Sequence, residues 1–214
     1  MTTQENKIAA GRPGPGLPEF LSALPDLSMA ALAVMTWLSP TYFGPEAVSY
    51  VVLVILVEFI VVHSAPFMGQ VALQPGKFTK IGGVFGLGLL YTLFVGGMSL
   101  AFHKWWPVFF FWGHTLNRLL RGLTAPPGAL SEKTVSAEWG ASIGFYLLSV
   151  FAGVLLPLPK LGLQCSGANC YGLTGSGLWI DQPQTALFSC ALYFSLQAAF
   201  KLYARFPEPQ NPQA

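Results

Sequence analysis

Between Val51 and Gly69 the chain reads VVLVILVEFIVVHSAPFMG, an apolar run interrupted by one carboxylate, Glu58, and one imidazole, His63. About 20 apolar residues in a helix cross the hydrocarbon of a bilayer, and only helices and closed barrels can satisfy their backbone there. A chain holding such a segment must bury it on every side or give it to lipid. Composition decides between these: charged residues make up 9% of the 214 and hydrophobic residues 53%, with a mean hydropathy of +0.53. A soluble domain carries about 25% charged residues. Too little charge remains here to cover a water-facing surface, so the expected fold is all-α, a polytopic transmembrane helical bundle forming one domain.

The candidate spans are Leu27–Phe43, Glu46–Pro66, Ile81–Phe102, Trp105–Leu120, Trp139–Pro157 and Thr185–Tyr203. The first is short and meets Pro40, so five spans plus a half-span is the alternative to six. Residues 1–26 read as a cytoplasmic tail with an interfacial segment near PEFLSAL, 27–205 as the bundle, and 206–214 as a tail whose prolines exclude regular helix. The N-terminal MTTQENKIAAGRPGPG lacks the apolar core and cleavage site of a secretory signal. No internal repeat stands out.

Basic residues orient the bundle. With six spans, Lys7, Arg12, Lys77, Lys80, Arg118, Arg121, Lys133, Lys201 and Arg205 share one side, and Lys104 and Lys160 the other. The positive-inside rule places the nine, and both termini, in the cytoplasm, in a cell membrane of the bacterial inner-membrane kind. Losing the first span would move only the N-terminus. The basic residues are scattered, without the stripe of a nucleic-acid binder. The loop at 158–184 then faces outward, where disulfides persist, and Cys165 and Cys170 are expected to pair. A metal site would need further ligands, and His103 is the one nearby histidine on that side. Cys190, in the sixth span, reads as a small hydrophobe.

An ionisable group inside the bilayer costs at least about 2.5–3.5 kcal/mol and normally faces a partner or a water-filled cavity. At about 1.5 Å per residue, Glu58 falls between His114 and Arg118 in depth, and we expect it to pair with one of them. On the fourth span His114, Asn117, Arg118 and Arg121 follow the i, i+3, i+4, i+7 spacing of a single helix face. His63, five residues beyond Glu58, is rotated from it by about 140° and points elsewhere. Arg121 reads as an interface anchor. Gly82/Gly86 and Gly140/Gly144 each form a G-x-x-x-G pair, which lets helices approach closely in lipid. Packing inside one bundle is the simpler expectation, and a homo-oligomer or larger membrane complex through those faces the other.

Three functional classes follow. A buried Glu58/His114/Arg118 cluster with Asn117 suits ion or proton movement, since imidazole changes charge near neutral pH. An accessory subunit could hold haem or pigment through His63 or His114. Their depths differ by about 10 Å, which disfavours both histidines on one iron. An intramembrane enzyme is disfavoured because no doubled glutamates or further histidine accompany Glu58. The Gly175-Ser176-Gly177 triplet reads as a turn rather than a nucleophile. A membrane scaffold without chemistry is the remaining possibility. Ion or proton transport is the favoured expectation.

Overall fold

A computed structural model describes residues 16–124, 132–165, 170–173 and 175–203, the side chains of 132–135 excepted. The expected tails up to residue 15 and from 204, with Lys7, Arg12 and Arg205, lie outside the described residues.

The protein is an all-α bundle of membrane type. Its helices are α1 (Leu17–Leu38), α2 (Ala47–Leu73), α3 (Lys77–Ala101), α4 (Trp106–Thr124), α5 (Glu132–Leu155), the short α6 (Leu178–Asp181) and α7 (Pro183–Tyr203). Among the described residues, α1, α2, α3, α5 and α7 are long and apolar enough to cross a membrane. The fourth is not, because its polar stripe lowers its hydropathy. It nevertheless runs alongside α2: Trp106 meets Tyr50 near one end and Gly122 meets Ala72 near the other.

The first helix departs from expectation. It begins at Leu17 rather than Leu27, so residues 17–26 are helical and not part of a tail. Pro18 lies in the first turn, where its missing N–H costs nothing, and Pro25 is accommodated inside the helix. The helix ends at Leu38, before Pro40, and its 22 residues are long and apolar enough for a full span.

α2 is apolar around its whole circumference, and that dictates its place. It packs against α1, α3, α4, α5 and α7. Val48, Val51, Val52 and Ile55 join Trp37, Tyr146, Leu187 and Cys190 in one core cluster, while Leu53, Val57 and Ile60 join Tyr91, Val95 and Phe111 in another. The connections alternate direction: Asp26 meets Lys201 at one end of the α1–α7 pair and Trp37 meets Phe188 at the other.

At the Glu46 end, the segment after α5 folds over the helix ends. Trp37 Nε1 donates to Pro159 O at 3.1 Å, and Gly162 N donates to Trp37 O at 3.1 Å. Leu163 and Leu173 are each only 1% exposed, closing this end with apolar surface. Cys165 and Cys170 form a disulfide there, and Lys104 pairs with Glu46 while lying over the Tyr50 ring. Gly175 and Gly177 take positive φ in the turn that leads into α6, and Gly177 N donates to Asp181 at 3.2 Å.

Close helix contact in this bundle does not use the G-x-x-x-G pairs. A Cβ built on Gly82, Gly86, Gly140 or Gly144 has open space around it. Other glycines make the close approaches. A Cβ on Gly83 would lie 2.6 Å from Val71, one on Gly88 3.0 Å from Trp112, and one on Gly153 2.9 Å from the Thr185 carbonyl. Glycines on one helix look alike in sequence, but only those on the face turned inward meet a neighbour. Gly153→Val is therefore expected to destabilise the bundle by about 1–3 kcal/mol through overpacking. Gly82→Ala and Gly144→Ala should leave thermal unfolding unchanged or slightly raised, and a large loss from either would refute the assignment of faces.

Candidate functional site

The α2 run that carries Glu58 also carries a weakness at Pro66. Proline there cannot donate to the Val62 carbonyl, and α4 supplies donors beside the interruption. Arg118 Nη2 donates to Val61 O at 2.9 Å, and its Nη1 lies 3.1 Å from Ser64 Oγ and 3.7 Å from Met68 Sδ. Ser64 Oγ in turn donates to Val61 O at 2.9 Å. The Val61 carbonyl precedes the Val62 carbonyl that Pro66 cannot bond, so the guanidinium docks beside the interruption. All the bonds shown for the guanidinium go to uncharged atoms.

Below this junction opens a cavity of about 330 Å³. On α2 its wall runs from Glu58 through Val61, Val62, Ala65 and Met68 to Leu73, about 22 Å of helix. His114, Arg118 and Arg121 line it from α4, Glu138, Trp139 and Ser142 from α5, and Tyr193, Gln197 and Lys201 from α7, with Asp26 from α1. Most of these belong to the half of their helix nearer Leu73, with Glu58, His114 and Tyr193 close to the helix midpoints. A second hollow of about 310 Å³ shares Arg121, Glu138 and Lys201 and continues to Ser22 and Phe200. The void thus extends from that end of the bundle toward its middle and stops at Glu58. Beyond Glu58 lies the packed core of Ile55, Tyr146 and Cys190.

Glu58 is 6% exposed. Its Oε2 accepts from Tyr193 OH at 3.2 Å. The chain continues, with Gln197 Nε2 at 2.9 Å from both Tyr193 OH and Ser142 Oγ. The expected pairing of Glu58 with Arg118 or His114 does not form: among the described residues no Lys, Arg or His nitrogen lies within 4.0 Å of the Glu58 carboxylate. The helix α2 backbone competes successfully for the guanidinium. Glu58, His114 and Arg118 instead share the walls of one cavity.

The other residues expected at the site separate. Asn117 is exposed and lies outside the cavity wall, so the stripe of α4 is split between two surfaces. His63 occupies an aromatic groove, its ring 5.8 Å from Phe59 and Phe67 and 6.1 Å from Tyr91. It shares no space with His114, whose ring sits 4.6 Å from Phe110.

Five further residues belong to the site and do not stand out from sequence alone. Asp26 and Lys201 form an ion pair at 2.7 Å, and Tyr193, Gln197 and Ser142 make the hydrogen-bonded chain. A signal is nevertheless present: Tyr193, Gln197 and Lys201 recur every four residues on α7, and Glu138 and Ser142 do so on α5. These are the same-face spacings that mark the stripe on α4. Arg121 faces Glu138 at 4.0 Å across the space between α4 and α5, two helices without extensive packing against each other among the described residues.

No known family's sequence pattern matches this chain, and neither a characterised protein nor a solved structure shows significant similarity to it.

Proposed function

We propose that the protein is a membrane transporter in which the cavity admits a proton, ion or small polar solute from one side and Glu58 binds it. One observation carries this reading: a buried carboxylate, free of any cationic residue within 4.0 Å among the described residues, ends a polar cavity. A buried structural ion pair would set the acid against a base. Glu58 instead has a hydroxyl partner and open space, which suits a group that takes up and releases a positive charge.

The distribution of basic residues supports an orientation. Lys77, Lys80, Arg121 and Lys201 lie at the open end and Lys104 and Lys160 at the closed, disulfide-bearing end. The positive-inside rule makes the open end cytoplasmic, so the cavity is the inward-facing state of an alternating path, and both termini are cytoplasmic. In this orientation the disulfide meets the oxidising side of the membrane.

The test is uptake by the full-length protein in sealed vesicles. With a pH-sensitive dye inside and an imposed potential, vesicles containing the protein should acidify faster than empty ones. Equal rates with protons, with alkali cations and with small polar solutes such as alanine would remove the transport reading.

A further inference from the structure

Two opposite charges stand apart on the wall of this cavity. The Glu58 carboxylate lies at its blind end, and the Arg118 guanidinium is held on the Val61 carbonyl. Val61 is three residues along α2 from Glu58, a rise of about 4.5 Å. Neither charge has a counter-charge within 4.0 Å among the described residues, whereas the other charged groups of the wall, Asp26 with Lys201 and Arg121 with Glu138, face partners. The unmatched pair is therefore confined to the deep part of the void. Between and around it Val62, Ala65, Met68 and Phe194 supply apolar wall, beside the polar side chains of His114 and Tyr193.

A site of that form is complementary to a zwitterion. We propose that the deep cavity binds a small zwitterionic group, its ammonium on Glu58 and its carboxylate or phosphate on Arg118. Charge-assisted hydrogen bonds would form at both ends, each to a group that has no counter-charge within 4.0 Å among the described residues. A cavity of about 330 Å³ is at the small end of ligand sites, which fits an amino acid with a short side chain. The gap between α4 and α5 offers the same chemistry a second source, because an aminophospholipid could insert its headgroup there and leave its chains in the bilayer. This inference names the solute of the transport reading and rests on it for direction of movement, although binding can be measured without it.

The experiment is thermal unfolding of the purified full-length protein in non-ionic detergent, titrated with L-alanine, ethylamine and propionate at equal concentrations. Phosphatidylethanolamine and phosphatidylglycerol are compared in parallel. L-alanine is expected to raise the midpoint saturably, while ethylamine and propionate, each carrying half of the zwitterion, do not. Stabilisation by phosphatidylethanolamine but by neither phosphatidylglycerol nor alanine would identify a lipid headgroup as the occupant. In Glu58→Gln the zwitterion affinity should fall at least about tenfold, while the midpoint without ligand is retained. Failure of both alanine and phosphatidylethanolamine to stabilise the protein overturns the inference, as does stabilisation undiminished in Glu58→Gln. Proton uptake that persists in that case leaves transport standing without this solute. Zwitterion binding without any uptake leaves the site standing without transport.

Discussion

Glu58→Gln is expected to abolish uptake by the reconstituted protein and leave its fold intact. The amide is nearly isosteric with the carboxyl and its oxygen still accepts from Tyr193 OH, which lies 3.2 Å from Glu58 Oε2. Packing against the surrounding wall is unchanged, and the cavity keeps its volume. Only the ability to carry negative charge is lost. An ionisable group at membrane depth costs at least about 2.5–3.5 kcal/mol, so the variant should unfold at the wild-type temperature or above it. Uptake should drop to the rate of empty vesicles. Full uptake by a folded Glu58→Gln protein would reduce the carboxylate to a structural group. Tyr193→Phe gives the intermediate case: the carboxylate remains, loses its hydroxyl partner, and uptake persists at an altered rate.

The second large effect lies at the other end of the molecule. Gly162→Ala is expected to destabilise the protein by about 3 kcal/mol, at the upper end for overpacking. A Cβ at this position would collide with the carbonyl group of Leu38 and with Pro40. These are backbone and ring atoms at the end of α1, which cannot rotate away as a flexible side chain would. Gly162 N also donates to Trp37 O at 3.1 Å, so a shift of the loop breaks that bond and strains the nearby Trp37 Nε1–Pro159 O bond. The closed end of the bundle depends on this contact, with Leu163 next in sequence and buried. Thermal unfolding checks the size of the loss. An unchanged midpoint would mean that the loop can retreat freely and does not seal the bundle.

Much of the fold is legible in the sequence because lipid imposes simple rules. Every long helix overlaps a span that the hydropathy pattern places, and α2, apolar on every face, announces its central position in its sequence. The start of α1 lies in the stretch assigned to a tail with an interfacial segment, and Pro18 and Pro25 are tolerated in the helix where they stand. The site is legible only in part. Glu58 and the stripe of α4 are conspicuous because charge is rare in such helices. Whether Arg118 reaches Glu58 or the Val61 carbonyl depends on side-chain reach, which spacing does not reveal. Tyr193, Gln197 and Ser142 are ordinary residues for a membrane helix, and their four-residue recurrence gains meaning only when α5 and α7 are seen to face one void. The glycine pairs do not serve packing within the bundle for a related reason, since periodicity identifies a face without saying what the face meets.

The transport reading depends on water reaching Glu58 from one side of the membrane. Single cysteines at Ser142 and Ala65, placed in a Cys190→Ala background, report on this directly when treated with a charged thiol reagent that cannot cross the bilayer. Ser142 and Ala65 both line the cavity, whereas Leu93, on α3, is 73% exposed on the outside of the bundle and serves as the lipid-facing control. Ser142→Cys and Ala65→Cys are expected to react from the cytoplasmic side alone, and Leu93→Cys from neither. Cavity cysteines that stay unmodified from both sides would mean a dry, packed interior, and the proposed path to Glu58 would not exist.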